Sequence, residues 1–268
     1  MVVRSVKNRF GNYKVELIDD LYGDSWWDEI ENGTYEPDTM ALIGLFVNGN
    51  TDFIDVGAAN GAMSILSANL GAKVLAIEAA PGIYGVAKTN FELNTFKHKI
   101  DIRNIAVSNC NSEIHFAAGR HNKVLSSIVF NSQDKFEESI QVVSLINLVE
   151  EFHISGRDLV LKIDIEGAEW KILKDLDVLE CLKRHQARIL LAIHPGFYRP
   201  YKRLPLGLTV VSKFFWQIHN LVETYFVFKK IESFACVQRT SLDRVKSPKK
   251  VSALMLGGYF EYLISFKS

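Results

Sequence analysis

From Thr51 onward, short apolar and β-branched runs alternate with stretches whose apolar positions recur at helical spacing, the signature of repeated βαβ units and a mostly parallel sheet. Asp52–Val56, Lys73–Glu78, Asp101–Ala106, Leu159–Asp164 and Arg188–His194 read as strands, and Ala62–Leu70, Tyr84–Asn94, Ala168–Leu173 and Leu208–Leu221 as helices. Glu113–Ala117 and Ile140–Val143 alternate as an antiparallel pair beside the sheet would. Near the carboxy end, Tyr225–Ile231 and Tyr259–Phe266 are aromatic and β-branched, which predicts a closing antiparallel hairpin. The expected fold is α/β, with a doubly wound, mostly parallel seven-stranded sheet. Residues 1–50, with Trp26, Trp27, Tyr35 and Pro37 among several acids, read as an N-terminal cap or lid on a domain over 51–268.

A chain of 268 residues can bury one full core, so a single main domain suffices. Its 31 basic and 31 acidic residues cancel, which argues against a nucleic acid as partner, because phosphate neutralisation needs a cationic surplus. Cys110, Cys181 and Cys236 are far apart and lack C-x-x-C spacing, so they read as reduced thiols of a cytoplasmic protein. Met1–Phe10 carries Arg4, Lys7 and Arg9 without an apolar run of signal-peptide length. The longest apolar stretch, Leu206–Val222, is broken by Lys213, Gln217 and His219. It falls short of the roughly 18 uninterrupted apolar residues of a spanning helix, so no stable membrane insertion is expected.

The chemistry concentrates in two places. Asp55-Val-Gly-Ala-Ala-Asn-Gly61 directly follows a strand and precedes a helix. Glycines there let the chain turn tightly beside a ligand, and free N–H groups at a helix start can hold an anion. The next strand ends in Glu78, near the distance at which such folds place an acid on ribose hydroxyls. The G-x-x-x-G spacing departs from the G-x-G-x-x-G dinucleotide fingerprint, so S-adenosyl-L-methionine, with one carboxylate, one ribose diol and no pyrophosphate, fits better than a nicotinamide cofactor. A nicotinamide-dependent oxidoreductase and a non-catalytic cofactor-binding scaffold are the alternatives. The second place is Lys162-Ile-Asp-Ile-Glu-Gly-Ala-Glu169, where Asp164 and Glu166 fall at the carboxyl end of a strand, the side on which open α/β sheets bind ligands.

Together with Ala76-Ile-Glu78, Pro81, Asn90-Phe-Glu-Leu-Asn94 and an approach segment Gly33-Thr-Tyr-Glu-Pro37, these two motifs resemble the FkbM-type methyltransferases over roughly Tyr35 to Pro195. The resemblance implies a Rossmann-like class I methyltransferase fold. It also implies S-adenosyl-L-methionine held by Asp55, Gly57, Ala58, Asn60, Gly61, Glu78 and Ala106, and O-methylation of a hydroxyl on a small-molecule or glycan acceptor. Three departures stand out: the loop asparagine, Asn60, falls one position later than in many relatives, Ala79 occupies a place where relatives carry proline, and Ala192 and Ile193 precede His194-Pro195 where relatives carry an acid.

Asp164, Glu166 and His194 are the candidates for handling the hydroxyl proton, either by general base catalysis or through a metal; the metal-free route is preferred, because one histidine and two acids at this spacing are common. Tyr198, Arg199, Lys202 and Arg203 mix aromatic faces with cations and could grip an acidic or carbohydrate acceptor. The remaining histidines show no ligand spacing.

Overall fold

The computed structural model describes residues 2–18, 23–117, 137–165, 169–193, 222, 225–233, 235–239 and 260–266. The chain opens with an antiparallel pair, β1 (Val2–Asn8) and β2 (Gly11–Leu17), followed by helices α1 (Asp24–Asn32) and α2 (Pro37–Phe46). The central elements then alternate: β3 (Thr51–Val56), α3 (Ala62–Asn69), β4 (Lys73–Ile77), α4 (Pro81–Glu92) and β5 (Ile100–Arg103). Beyond them lie β6 (Ala106–Ser108), β7 (Ser112–Ala117), β8 (Glu137–Ser144), α5 (Leu145–Phe152), β9 (Asp158–Ile163), α6 (Glu169–Leu173), α7 (Leu176–Arg184) and β10 (Arg188–Ile193). A helix α8 covers 225–233, before β11 (Ala235–Arg239) and β12 (Phe260–Phe266).

Seven strands form the main sheet in the order β11-β12-β10-β9-β3-β4-β5. From β10 to β5 all neighbours are parallel, whereas β12 runs antiparallel to both β10 and β11. The doubly wound, mostly parallel seven-stranded sheet and its antiparallel C-terminal pair are therefore present. The chain order reverses at β3, whose neighbours are β4 and β9, and this reversal opens a crevice at their carboxyl ends.

Every residue of β3 is buried, because helices cover both faces of the sheet. Alternation along the strands divides the core in two. Ile54, Val56, Leu75, Ile77, Leu161 and Ile163 face α5, α6, α7 and α8. Phe53, Val74, Ala76 and Val160 face α3 and the N-terminal segment, whose Val6, Tyr13, Val15, Trp27, Ile30, Met40 and Ile43 join the same cluster. Arg4 locks that segment internally through Asp24, Asp28 and Glu31.

Two expectations are corrected. Tyr225–Ile231 is helix rather than strand, and the hairpin partner of β12 is Ala235–Arg239. Val227, Phe228 and Ile231 are buried while Phe226 is exposed, a 3.6-residue spacing that outweighs the β preference of the residue types. Phe228 packs against Trp170 and Tyr262. The expected strand Asp101–Ala106 is divided between two sheets. Asn104 donates to the carbonyl oxygens of Glu78 and Ala79 at 2.9 and 3.0 Å and turns the chain, so that β6 joins β8 and β7 in a separate three-stranded sheet. The antiparallel pairing of the 113–117 and 140–143 segments is as expected. The expected helix Leu208–Leu221 lies outside the described residues. Among the described residues, no helix is long and apolar enough to cross a membrane.

Candidate functional site

The loop after β3 is shaped by its backbone. Gly57, Ala59 and Gly61 have φ of 86°, 50° and 88°, a left-handed path natural to glycine and uncommon for alanine. Gly57 and Ala58 both donate to the Ile77 carbonyl, at 3.0 and 2.9 Å, which lays the loop across the end of β4. A Cβ at Gly57 would overlap the carbonyl of Asp164, and one at Gly61 would overlap the Phe91 ring. These glycines thus admit close approach by the chain's own neighbours. Asp164 itself donates its N–H to the Val56 carbonyl at 3.0 Å, so the ends of β3 and β9 are stitched together beside Gly57.

Asp55 is fully buried. Its Oδ2 accepts from the Ser64 hydroxyl at 2.6 Å, and its Oδ1 has no hydrogen-bond partner. Burial pushes its carboxyl above the usual range, opposed by the nearby Lys162 ammonium and the Ser64 hydrogen bond. Asn60 is buried too, with its Oδ1 accepting from the Ala62 N–H at 3.2 Å and its Nδ2 unpartnered. Glu78 accepts from the N–H groups of Ala59 at 3.0 Å and Ala80 at 2.8 Å. Burial pushes its carboxyl up to about 7, against the pull of those two donors. Ala106 begins β6, buried in a small cluster with Ala80 and Ile83.

Asp164 follows the end of β9, and its Oδ2 meets Lys162 Nζ at 2.7 Å. Lys162 stands beside Asp55 in the parallel register and is almost fully buried. Glu36 reaches the same ammonium from the N-terminal segment, with its Oε2 at 4.0 Å. The structure thus brings Asp55, Gly57, Asn60, Gly61, Glu78 and Asp164 to one edge of the sheet. Glu166, His194, Tyr198, Arg199, Lys202 and Arg203 lie outside the described residues.

Lys162, Glu36 and Asn90 were assigned no role from sequence. The signals were present: Lys162 is a charge inside an apolar strand, and Glu36 belongs to the approach segment quoted above. Asn90 on α4 and Asn94, just past the end of that helix, dock the edge of β2. Asn90 accepts from the Glu16 N–H at 2.7 Å and donates to the Asn60 carbonyl at 2.9 Å, while Asn94 accepts from and donates to the Lys14 backbone at 2.8 and 2.9 Å.

Elsewhere, Glu150, Cys181 and His185 bring ligand-type atoms within 4.8 Å of one another. Arg184 already supplies a cation to the same Glu150 oxygen at 2.8 Å, and burial, reinforced by Glu150, pushes the Cys181 thiol up to about 11. The group is accordingly an ion-pair cluster. His153 is occupied by Asp52 at 3.1 Å.

A seven-stranded sheet of this order, with a glycine loop after its first parallel strand and an acid after its second, is the Rossmann-like arrangement expected of a class I methyltransferase. The family model for the methyltransferase FkbM domain matches residues 55–224, more than half of the chain, and the chain belongs to that family. A stretch of 102 residues is 31% identical to the ribosomal protein L11 methyltransferase of Ruminiclostridium cellulolyticum, covering 37% of this chain and 31% of that protein. The chain thus matches less than a third of that curated relative's length. Among solved structures, it is similar to the methyltransferase FkbM of Methylobacillus flagellatus KT, with TM-score 0.43 and 12% identity over 93% of this chain and 56% of that one. It is also similar to the O-methyltransferase of Bacillus cereus in complex with SAH, with TM-score 0.40 and 12% identity over 85% and 79% of the two chains.

The family's cofactor is S-adenosyl-L-methionine, and the residues present fit it. Glu78 offers a carboxylate at the end of the second parallel strand, and the buried Asp55 Oδ1 and Asn60 Nδ2 are left as an acceptor and a donor without partners among the described residues. Such atoms are costly unless a ligand or water meets them.

Proposed function

We propose that this chain is an O-methyltransferase that moves the methyl group of S-adenosyl-L-methionine onto a hydroxyl of a sugar or glycan-type acceptor. The observation that carries the reading is the convergence of the Gly57–Gly61 loop, Glu78 and Asp164 on the crevice where the strand order reverses. When bound, the cofactor supplies an electrophilic methyl group on a sulfonium.

The chain's own residues do the rest. Asp55, Gly57, Ala58, Asn60 and Gly61 hold the methionine moiety, Glu78 accepts from the ribose hydroxyls, and Ala106 borders the cofactor beyond it. Tyr198, Arg199, Lys202 and Arg203 hold the acceptor. Alignment of the acceptor oxygen with the methyl carbon supplies much of the rate. One of Asp164, Glu166 and His194 takes the hydroxyl proton as the new bond forms. Lys162 fixes the orientation of Asp164 through their 2.7 Å contact.

Calorimetry with S-adenosylhomocysteine and NAD tests the cofactor. Tighter binding of NAD would overturn the reading. Transfer of labelled methyl from S-adenosyl-L-methionine to a panel of saccharides tests the acceptor. The product should be a base-stable methyl ether, and label appearing only on added ribosomal protein would replace the sugar acceptor with a protein one.

A further inference from the structure

Three carboxylates and one ammonium share the ends of β3 and β9. Lys162 Nζ is 2.7 Å from Asp164 Oδ2 and 4.0 Å from Glu36 Oε2, and Asp55 stands opposite Lys162 in the register. The Lys162 and Glu36 side chains retain only 6% and 10% of their exposure. Among the described residues, and with every group ionised, this desolvated cluster has a surplus of negative charge, a costly arrangement unless a cation enters it.

The three carboxylates are not equivalent. Asp55 takes a hydrogen bond from Ser64 at 2.6 Å, and Asp164 is in contact with Lys162. Glu36 Oε2 is buried without a hydrogen-bond partner, and at 4.0 Å it stands beyond hydrogen-bond reach of Lys162. Glu36 occupies the N-cap position of α2, yet its side chain makes no capping hydrogen bond to that helix. Its backbone is held at φ 38°, unusual for a side-chain-bearing residue and more so before a proline. Burial pushes its carboxyl upward, with Asp164 adding to the effect and Lys162 and a hydrogen bond from Tyr35 opposing it. The Tyr35 hydrogen bond still leaves Oε2 unpartnered, and neither helix capping nor a contact ion pair accounts for the placement of that oxygen.

S-adenosyl-L-methionine carries an α-ammonium, a sulfonium and one carboxylate, a net single positive charge of the sign this cluster lacks. We propose that Glu36, contributed by the N-terminal segment, is a cofactor-binding residue whose carboxylate receives the α-ammonium of the methionine moiety. The assignment rests on the cofactor reading of the site and extends it to a segment outside the span of the family match. It makes the segment before β3 part of the binding surface, so that cofactor affinity depends on the path of the chain from Tyr35 to Pro37.

The test compares S-adenosylhomocysteine with 5′-methylthioadenosine, which keeps the adenine, ribose and thioether but has neither ammonium nor carboxylate. Binding of both is measured by calorimetry for the full chain and for Glu36→Gln, with thermal melts alongside. Glu36→Gln should weaken S-adenosylhomocysteine by roughly 10- to 100-fold, the worth of a charge-assisted hydrogen bond, and leave 5′-methylthioadenosine within about twofold. Unchanged affinity for S-adenosylhomocysteine overturns the role of Glu36 while the cofactor reading stands. Equal loss for both ligands shows that Glu36 only supports the fold, and overturns the role as well. Failure of the unaltered chain to bind S-adenosylhomocysteine overturns the cofactor reading and, with it, the proposal.

Discussion

Asn90 donates its side-chain amide to the carbonyl of Asn60 at 2.9 Å, which ties helix α4 to the glycine loop. Its oxygen meanwhile holds the N–H of Glu16 at 2.7 Å, so one fully buried amide links the N-terminal hairpin, a helix and the loop. Asn90→Ala should strand both partners and cost about 1–3 kcal/mol for each. Urea denaturation measures the loss, and a midpoint equal to that of the unaltered chain would remove Asn90 from the framework.

Glu78→Ala should weaken S-adenosylhomocysteine by roughly 10-fold or more, through loss of a charge-assisted acceptor for ribose hydroxyls worth about 1.5–3 kcal/mol. The fold should persist, as judged by circular dichroism. Unaltered affinity would reduce Glu78 to an anchor for the Ala59 and Ala80 N–H groups.

The same carboxyl carries a pH signature. Burial holds it at about 7 in the folded chain against an ordinary value of 4.5. Between those limits the folded protein keeps a proton that the unfolded chain has released. Its stabilising contribution is therefore complete below about pH 4.5 and is lost as pH rises through about 7. Cofactor binding should run the other way, because the ionised carboxylate is the better acceptor. Affinity for S-adenosylhomocysteine should rise between about pH 6 and pH 8. Asp55 and Glu36, also pushed upward by burial, act in the same direction, and Glu78→Gln should flatten only part of the slope. A profile in the unaltered chain that does not change with pH would contradict this account.

Gly57→Ala should disturb β9 as much as the loop. A methyl group there needs a strained backbone at φ 86° and overlaps the Asp164 carbonyl. Loss of S-adenosylhomocysteine binding together with a lowered melting temperature is expected, and an unchanged melt would show that the strand ends can part without penalty.

Asp164→Asn addresses the chemistry. If Asp164 takes the hydroxyl proton, methyl transfer should fall by roughly two to four orders of magnitude, with far less effect on affinity for S-adenosyl-L-methionine. Chelators should then change little. Activity abolished by chelator and restored by magnesium or manganese would instead place a metal at the site. Near-normal turnover in the variant would take Asp164 out of the mechanism.

Much of this was legible because the strong signals are local. A short β3 carrying Phe53, Ile54 and Val56, followed by Gly57 and Gly61, announces a strand, a turn and a helix in quick succession, and Glu78 lies one βα unit further on. The misplaced hairpin strand arose because Tyr225–Ile231 is rich in residues that favour strands, whereas the burial of Val227, Phe228 and Ile231 depends on Trp170 and Tyr262, which are distant in sequence. The approach of Glu36 to within 4.0 Å of Lys162 joins residues more than a hundred positions apart, and no periodicity reports such a meeting. Asn90 was visible as part of a motif, but its task depends on where β2 runs.

The hydrophobic cluster that covers one face of the sheet has a practical bearing on how the chain should be divided. The match to the family model begins at residue 55, inside β3. Yet Phe53, Ile65 and Leu66 share their cluster with Trp27, Ile30 and Met40, which come earlier. A piece trimmed to the familiar stretch would carry a raw oily side into water and would aggregate or misfold, however well its motifs were preserved. What descent keeps readable and what the molecule needs in order to stand are, in this chain, two different lengths.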